Sequence, residues 1–273
     1  MIKPSEIQHK ANAIGVRDQQ IEKDYLLSWI LFGISKHEQL SKTLVFKGGT
    51  VLKKVYFENY RFSEDLDFTL LNPNQTNEQI FAWFNEVFEL IKEQANISLG
   101  LVNPDSQKDR QENEEGGINF YLSYVGPLGG QGNNKKVKVD ISRFEQMVFK
   151  PVMNQVFIGY SDLEEHQLLC YPLEEVLVEK MRSVMQRMQA RDFYDIWYLL
   201  EEHKMDAYFY VNEFQTKCKS KLLQHSDFPK KLEERLPQYK GRWKNSLSEQ
   251  IKDLPDFDQV EREVQRHLKK LKF

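Results

Sequence analysis

The sequence contains only two cysteines among 273 residues, and they lie far apart in the chain. Neither Cys170 nor Cys218 has the closely spaced Cys or His partners that a zinc site requires. We therefore predict two free thiols, to which we assign no chemistry.

Long apolar runs are also absent. No segment approaches the roughly 20 apolar residues that span a bilayer, and the opening residues, MIKPSEIQHK, lack the basic-then-apolar pattern of a secretion signal. With 40% hydrophobic and 12% aromatic residues, the chain can bury one large core or two smaller ones. We expect a soluble globular protein that resides in the cytoplasm and has no membrane partner.

The chain has little net charge, a formal −3, but this charge is unevenly distributed. Residues Lys217 to Phe273 include 15 basic and 9 acidic residues, whereas residues 1–216 include 23 basic and 32 acidic residues. Basic chain ends tend to bind polyanions. The C-terminal end is therefore a candidate region for binding a polyanion.

Hydrophobic periodicity divides the chain near residue 170 into an α+β part, residues 1–170, and an all-helical part, residues 171–273. Polar sequence from Asn103 to Glu115 predicts a loop, and GPLGGQGNN predicts a glycine-rich turn. Prolines predict breaks between the last helices near Pro229, Pro237 and Pro255. The predicted helices are Glu6–Gly33, 77–94, 174–189 and 192–202, and the predicted strands are Leu44–Phe46, Asp65–Leu71, Ile118–Val125 and Lys136–Ile141.

Two carboxylates two residues apart, Asp65 and Asp67, fall in a predicted strand. Side chains at this spacing point to the same face of a strand, so these two like charges lie close together. Such a pair is stable when it is solvated or when a divalent cation neutralises it, and hard oxygen ligands of this kind suit Mg²⁺ or Mn²⁺. The spacing alone is equally compatible with a solvated strand face.

Two further features could complete a site around this pair. Lys47-Gly48-Gly49-Thr50 stands at a predicted helix start, where backbone N–H groups and a hydroxyl can bind phosphate, although an ordinary glycine turn has the same sequence. Asp140 lies in the predicted strand that contains Val139 and Ile141. It is a candidate third metal ligand or, alternatively, a structural residue.

The helix predicted after residue 173 has a lysine, Lys180, on its apolar side. This lysine could extend its stem to solvent, form a structural ion pair or bind nucleotide phosphates. Asp192 and Asp195 share a face with apolar residues of the next predicted helix and need polar partners if that face is buried. Lys180 is one candidate partner for both, and Arg187 and Arg191 lie nearby in the sequence.

These segments together resemble the AbiEii family of nucleotidyltransferase-like toxins. The resemblance covers roughly residues 20 to 200 and rests on motifs in the family's order: Gly-Gly-Thr, Arg-Phe-Ser-x-Asp-hydrophobic-Asp, Glu-Lys and Arg-Asp-x-x-Asp. The quoted segments are IEKDYLLSWIL, FKGGTVLKKVYFENYRFSEDLDFTL, KVDIS and EEVLVEKMRSVMQRMQARDFYDIWYLL.

The resemblance implies a DNA-polymerase-β-like nucleotidyltransferase domain with an added C-terminal helical domain. It also implies an enzyme that transfers a nucleotide from a nucleoside triphosphate to an RNA acceptor, such as a tRNA 3′ end, and a cognate antitoxin partner. Lys180 would match the family's essential lysine, and Asp192 or its neighbour Asp195 would match the late aspartate, with Asp192 favoured. The implied nucleotide-binding residues are Lys47, Gly48, Gly49, Thr50, Ser63 and Lys180, and the implied metal ligands are Asp65, Asp67 and Asp140.

Two other functions are compatible with the same residues. The acceptor could be a protein hydroxyl, although the basic C-terminal end favours RNA. The protein could also be a non-catalytic binder of nucleotide or of a partner protein, but this reading leaves the adjacent like charges of Asp65 and Asp67 unexplained. The sequence does not identify the nucleoside triphosphate, the antitoxin or the oligomeric state.

Overall fold

The computed structural model describes residues 1–102, 111–112, 116–130 and 135–271, which divide into two compact units. The predicted loop from Asn103 to Glu115 and the end of the glycine-rich turn lie largely outside the described residues. Within the described part of the chain, no helix combines the length and apolarity needed to cross a bilayer. The first unit consists of Met1–Glu145 and Pro151–Cys170, and the second of Gln146–Lys150 and Tyr171–Phe273.

A mixed sheet forms the centre of the first unit, with eight strands among the described residues. Seven follow the order β3-β5-β6-β2-β1-β8-β7, and β4 pairs with β5. β2 is antiparallel to β1 and parallel to β6, so it is the central strand of the site described below. The strands are β1 Leu44–Lys47, β2 Asp65–Leu70, β3 Ser98–Leu101, β4 Gln111–Glu112, β5 Ile118–Val125, β6 Lys136–Ser142, β7 Val152–Gln155 and β8 Gln167–Cys170.

The two faces of the sheet differ in polarity because apolar and polar residues alternate along its strands. In β5 and β6, the buried residues are Ile118, Phe120, Leu122, Tyr124, Val137, Val139 and Ile141. Helix α5, Asn77–Ala95, covers this apolar face, and its Phe81 and Phe84 rings each lie 5.2 Å from the Phe120 ring. The opposite face carries the partly exposed residues of β2 and β6, including the candidate metal ligands.

The single N-terminal helix expected from Glu6 to Gly33 is wrong, because two helices occupy this region. Gly15 ends the first helix in the left-handed conformation, with φ +80°, which glycine adopts without steric cost. The second helix is buried along most of its length. The helices of the first unit are α1 Pro4–Ile14, α2 Asp18–Lys36, α3 Glu38–Thr43, α4 Gly48–Val51, which continues as a π-helix over Leu52–Tyr56, and α5 Asn77–Ala95.

The second unit is helical, as expected, but one predicted break is wrong. Pro229 lies in the first turn of α9, where proline needs no amide hydrogen, whereas Pro237 lies inside α9 and does not end it. The α-helices are α6 Leu173–Gln186, α7 Ala190–Trp197, α8 Val211–Lys219, α9 Phe228–Leu247 and α10 Phe257–Leu268. Shorter segments are the π-helix Tyr198–Glu202 and the 3₁₀ helices Ala207–Tyr210 and His225–Asp227.

A buried ion pair anchors the segment Gln146–Lys150 within the second unit. Lys217 Nζ lies 2.6 Å from Glu175 Oε1 and donates to the Gln146 carbonyl oxygen at 2.8 Å. The other carboxylate oxygen of Glu175 accepts hydrogen bonds from the amides of Val148 and Phe149, each at 2.8 Å. Both charged side chains are fully buried, so each depends on its partner. Lys217 therefore adds nothing to the basic surface expected at the C-terminal end.

We expect Lys217→Met to lower the free energy of unfolding by about 3 to 5 kcal/mol, because it leaves Glu175 buried without its counter-charge. Lys219→Met is the matched control, since Lys219 is exposed on the same helix and its replacement should change stability by less than about 0.5 kcal/mol. Urea unfolding followed by tryptophan fluorescence measures both. Equal stability of the two variants would contradict the anchoring role of the pair.

Candidate active site

Strand register brings three aspartates together on one face of the sheet. Asp67 pairs with Asp140 across the parallel strands β2 and β6, whose spacing is about 4.8 Å. Asp65 lies two residues earlier on β2, roughly 6.6 Å along the strand and on the same face. All three are partly exposed, so their carboxylates can meet a ligand from solvent.

A lysine that the sequence analysis did not identify lies among these aspartates. Lys138 pairs with Asp65 in the sheet register, and its Nζ lies 3.0 Å from Asp140 Oδ2. Burial acts to lower the pKa of Lys138, but the charge and hydrogen bond of Asp140, with the charges of Asp65 and Asp67, raise it overall. The ammonium group is therefore held charged by all three carboxylates. Its position two residues before Asp140 was the signal in the sequence.

The Gly-Gly-Thr segment begins a helix directly after β1, so its glycines belong to the helix rather than to a preceding turn. Gly48 has φ +78°, and a Cβ at this position would overlap the Asp67 carboxylate. The Thr50 hydroxyl is buried and donates to the main-chain oxygen of Asp65 at 2.5 Å. These contacts fix the helix start against β2 at both aspartates.

The remaining candidate nucleotide-binding residues of the first unit lie around the same helix start. Lys47 is the cross-strand partner of Asp67, and Ser63 is buried two residues before β2. Arg61, to which the sequence analysis gave no role, is 4% exposed, and a Cβ on Gly49 would lie 2.5 Å from its Nη2. Its signal in the sequence was its place as the first residue of the motif Arg-Phe-Ser-x-Asp-hydrophobic-Asp.

Lys180 and Asp192 lie in the second unit, in a buried ion cluster. Lys180 Nζ lies 2.7 Å from Asp192 Oδ1 and 2.6 Å from Asp195 Oδ2, and Arg187 Nε lies 2.7 Å from Asp192 Oδ2. Burial acts to raise the pKa of Asp192, but the charges of Lys180 and Arg187 lower it overall. The expected pairing of Lys180 with both aspartates is therefore confirmed, and extension of Lys180 to solvent is excluded by its 7% side-chain exposure.

The chemistry of the acidic face suits a hard divalent cation such as Mg²⁺. Three carboxylates on adjacent strands supply oxygen ligands, and Gly48 lacks the Cβ that would overlap one of them, Asp67. Across the described part of the chain, however, no three Asp, Glu, His or Cys side chains already converge to hold a metal ion. At this site, Asp140 Oδ2 accepts a hydrogen bond from Lys138 Nζ at 3.0 Å.

Two solved structures share this fold. A protein from H. pylori assigned as a nucleotidyltransferase matches with a TM-score of 0.57 and 18% identity, over 94% of this chain and 97% of that chain. The nucleotidyltransferase toxin MenT4 from Mycobacterium tuberculosis H37Rv matches with a TM-score of 0.53 and 17% identity, over 100% of both chains. The fold, an α+β nucleotidyltransferase domain with C-terminal helices, is thus the one expected. No curated protein matches the chain.

The sequence defines the family more closely than the fold does. The family model described as nucleotidyl transferase AbiEii toxin, type IV toxin–antitoxin system, matches residues 29–263. The chain belongs to this family and is a nucleotidyltransferase enzyme, which confirms the resemblance seen in the motifs. Membership implies a nucleoside triphosphate substrate and an antitoxin partner.

We expect Gly48→Ala to reduce nucleotidyl transfer by roughly a hundredfold. The added Cβ would displace the Asp67 carboxylate from the position that it needs for the reaction. Gly129→Ala is a control for backbone strain, since Gly129 also has positive φ, +65°, but has open space around its Cβ position. Initial rates and melting temperatures of both variants separate displacement of Asp67 from loss of stability. Similar activity of the two variants would show that the Asp67 contact does not matter.

Proposed function

We propose that this enzyme transfers a nucleoside monophosphate from a nucleoside triphosphate to the 3′-hydroxyl of an RNA acceptor, with tRNA as the candidate, in a reaction that depends on Mg²⁺ or Mn²⁺. One observation carries the metal dependence: the register that places Asp65, Asp67 and Asp140 on one partly exposed face beside a helix start. The acceptor class is supported by the resemblance and by the basic C-terminal end.

In the proposed reaction the 3′-oxygen forms a bond to the α-phosphorus, the bond from that phosphorus to the bridging oxygen breaks, and pyrophosphate leaves. Asp65, Asp67 and Asp140 would hold the divalent cation. When bound, such a cation neutralises phosphate charge and favours ionisation of the attacking hydroxyl. The protein's own contribution is mainly positioning and charge stabilisation.

The residues around the acidic face have distinct parts in this proposal. The helix that begins at Gly48 presents backbone N–H groups to phosphate, and Lys47 and Ser63 lie beside it. Thr50 holds the start of β2 through its hydroxyl and thereby orients Asp65. Lys138 places a positive charge beside Asp140. Its ammonium group would also be able to bind phosphate at this face.

The direct test is to incubate the purified protein with Mg²⁺, each labelled nucleoside triphosphate in turn and total RNA. Label that enters RNA and is released by 3′-exonuclease treatment supports the proposal. Label that enters protein identifies a protein hydroxyl as the acceptor instead. Nucleotide binding without any transfer under all conditions would favour a binder and contradict the proposed activity.

We expect Asp67→Asn to abolish transfer and to weaken Mn²⁺ binding, measured by water proton relaxation, while the fold remains intact. The change removes one ligand charge with little change in volume. Glu89→Gln, an exposed position on α5, removes the same charge outside the site and should leave both measurements unchanged. Retention of most of the activity by folded Asp67→Asn in Mg²⁺ would show that the metal assignment is wrong.

Lys180 is proposed to bind phosphate as well as to pair with aspartates. Lys180→Met should lower the free energy of unfolding by about 3 to 5 kcal/mol, because two buried carboxylates lose a counter-charge. Below its melting temperature, the folded variant should also turn over on the order of a hundredfold more slowly if the ammonium stabilises transferring phosphate. Lys180→Arg keeps the charge and is the stability control. Normal turnover by folded Lys180→Met would leave Lys180 with a structural role alone.

A further inference from the structure

One face of helix α9 carries a row of basic residues. Lys231, Arg235 and Arg242 stand at relative positions i, i+4 and i+11, with Gln238 at i+7, a spacing that places all four along the same side of a helix. None of the three basic residues is buried. At 1.5 Å per residue, the row extends over about 16 Å.

This row lies against the C-terminal end of α6. Arg235 Nη1 donates to the Val184 carbonyl oxygen at 2.8 Å, and Arg242 Nη1 donates to the Met188 carbonyl oxygen at 2.7 Å. Arg182, one turn before the C-terminal end of α6, and Arg187, the residue that follows this helix, add two further cations. We call the five residues Arg182, Arg187, Lys231, Arg235 and Arg242 the arginine-rich surface.

Among the described residues, Asp192 and the exposed Glu234 of α9 bring negative charge near the arginine-rich surface. Asp192 pairs with Arg187, but this carboxylate is only 2% exposed and is shared with Lys180. None of the carboxylates in the described part of the chain forms an ion pair with Arg182, Lys231 or Arg242. The carbonyl groups that accept from Arg235 and Arg242 stabilise these side chains but do not cancel their charge.

We propose that the arginine-rich surface binds the phosphate backbone of the RNA acceptor; this inference rests on the proposed function. Guanidinium groups bind phosphate oxygens through paired N–H donors, which an ammonium group does not match. Basic residues in a row along one helix face can contact successive phosphates of one nucleic-acid strand, which carries a negative charge at every nucleotide. An acidic protein would present irregularly spaced carboxylates instead, so RNA is the better match.

The experiment measures binding of a fluorescein-labelled tRNA transcript by anisotropy across a salt series. EDTA is present and nucleoside triphosphate is omitted, so binding does not depend on the metal site or on transfer. One variant combines Lys231→Gln, Arg235→Gln and Arg242→Gln. Its matched control combines Lys230→Gln, Lys240→Gln and Lys244→Gln, which removes three positive charges from the opposite side of α9.

We expect the surface variant to bind tRNA about tenfold or more weakly than the control variant, with the slope of log Kd against log salt reduced by about 2. A second variant, Arg182→Gln with Lys231→Gln, breaks no hydrogen bond to a main-chain carbonyl and should weaken binding in the same direction. If the triple variant has a low melting temperature, tRNA binding by this double variant still tests the proposal.

Equal tRNA affinity of the surface and control variants would overturn the proposal, as would the absence of tRNA binding by the wild-type protein at low salt. Loss of binding to polyglutamate with unchanged binding to tRNA would assign the surface to an acidic protein instead. Wild-type protein that binds tRNA through this surface but transfers no nucleotide would contradict the proposed function and leave the surface assignment standing.

Discussion

The register of β1, β2 and β6 is the constraint on which the site depends. It fixes Asp65, Asp67 and Asp140 at separations of about 5 to 8 Å on one face, where each pair of like charges costs about 2 to 3.5 kcal/mol at an effective dielectric constant near 20. Packing cannot relieve this repulsion, because the other face of the same strands forms the core. Lys138 places a compensating positive charge on this face.

The same electrostatic logic explains why the charged clusters of the two units differ. In the second unit, Lys180 and Lys217 are buried and matched by carboxylates at hydrogen-bond distance, an arrangement that tolerates no removal of a partner. On the acidic face, three partly exposed carboxylates lie beside Lys138, and Asp67 is also the cross-strand partner of Lys47. An excess of negative charge that solvent can reach is suited to binding a cation and its phosphate ligand, whereas a neutral buried cluster is suited to holding helices together.

The sequence predicted those segments in which polar and apolar residues alternate with a clear period. Strands β2, β5 and β6 alternate clearly, and their predicted bounds agree with the structure to within a residue. The strands β3, β4, β7 and β8 were missed, because they are short and the pairing partner, rather than a clear local pattern, defines each of them. Gly15 and Pro237 were misjudged for a related reason: tertiary packing decides whether a helix ends at such a residue.

For the candidate site, the sequence identified the charges but not how they are compensated. Asp65 and Asp67 follow from the period of a strand, and pairing of Lys180 with two aspartates followed from their position on apolar helix faces. The pairing of Asp67 with Asp140 depends on which strands are neighbours, which one sequence does not specify. The position of Lys138 beside all three aspartates depends on the same strand pairing. Arg61 belongs to the motif that contains Asp65 and Asp67, but its contact with the helix start depends on the course of an irregular segment.

The course of the chain between the two units has a consequence for biosynthesis. The chain enters the second unit at Gln146, returns to the first at Pro151 and enters the second again at Tyr171. On a ribosome, Gln146–Lys150 therefore emerges before Glu175 and well before Lys217, a delay on the order of several seconds at 5 to 20 residues per second. During that interval β7 and β8 can complete the sheet while the short segment between β6 and β7 still lacks its ionic anchor. A truncated product that stops before residue 217 would keep the acidic face but leave Glu175 without the lysine that neutralises it.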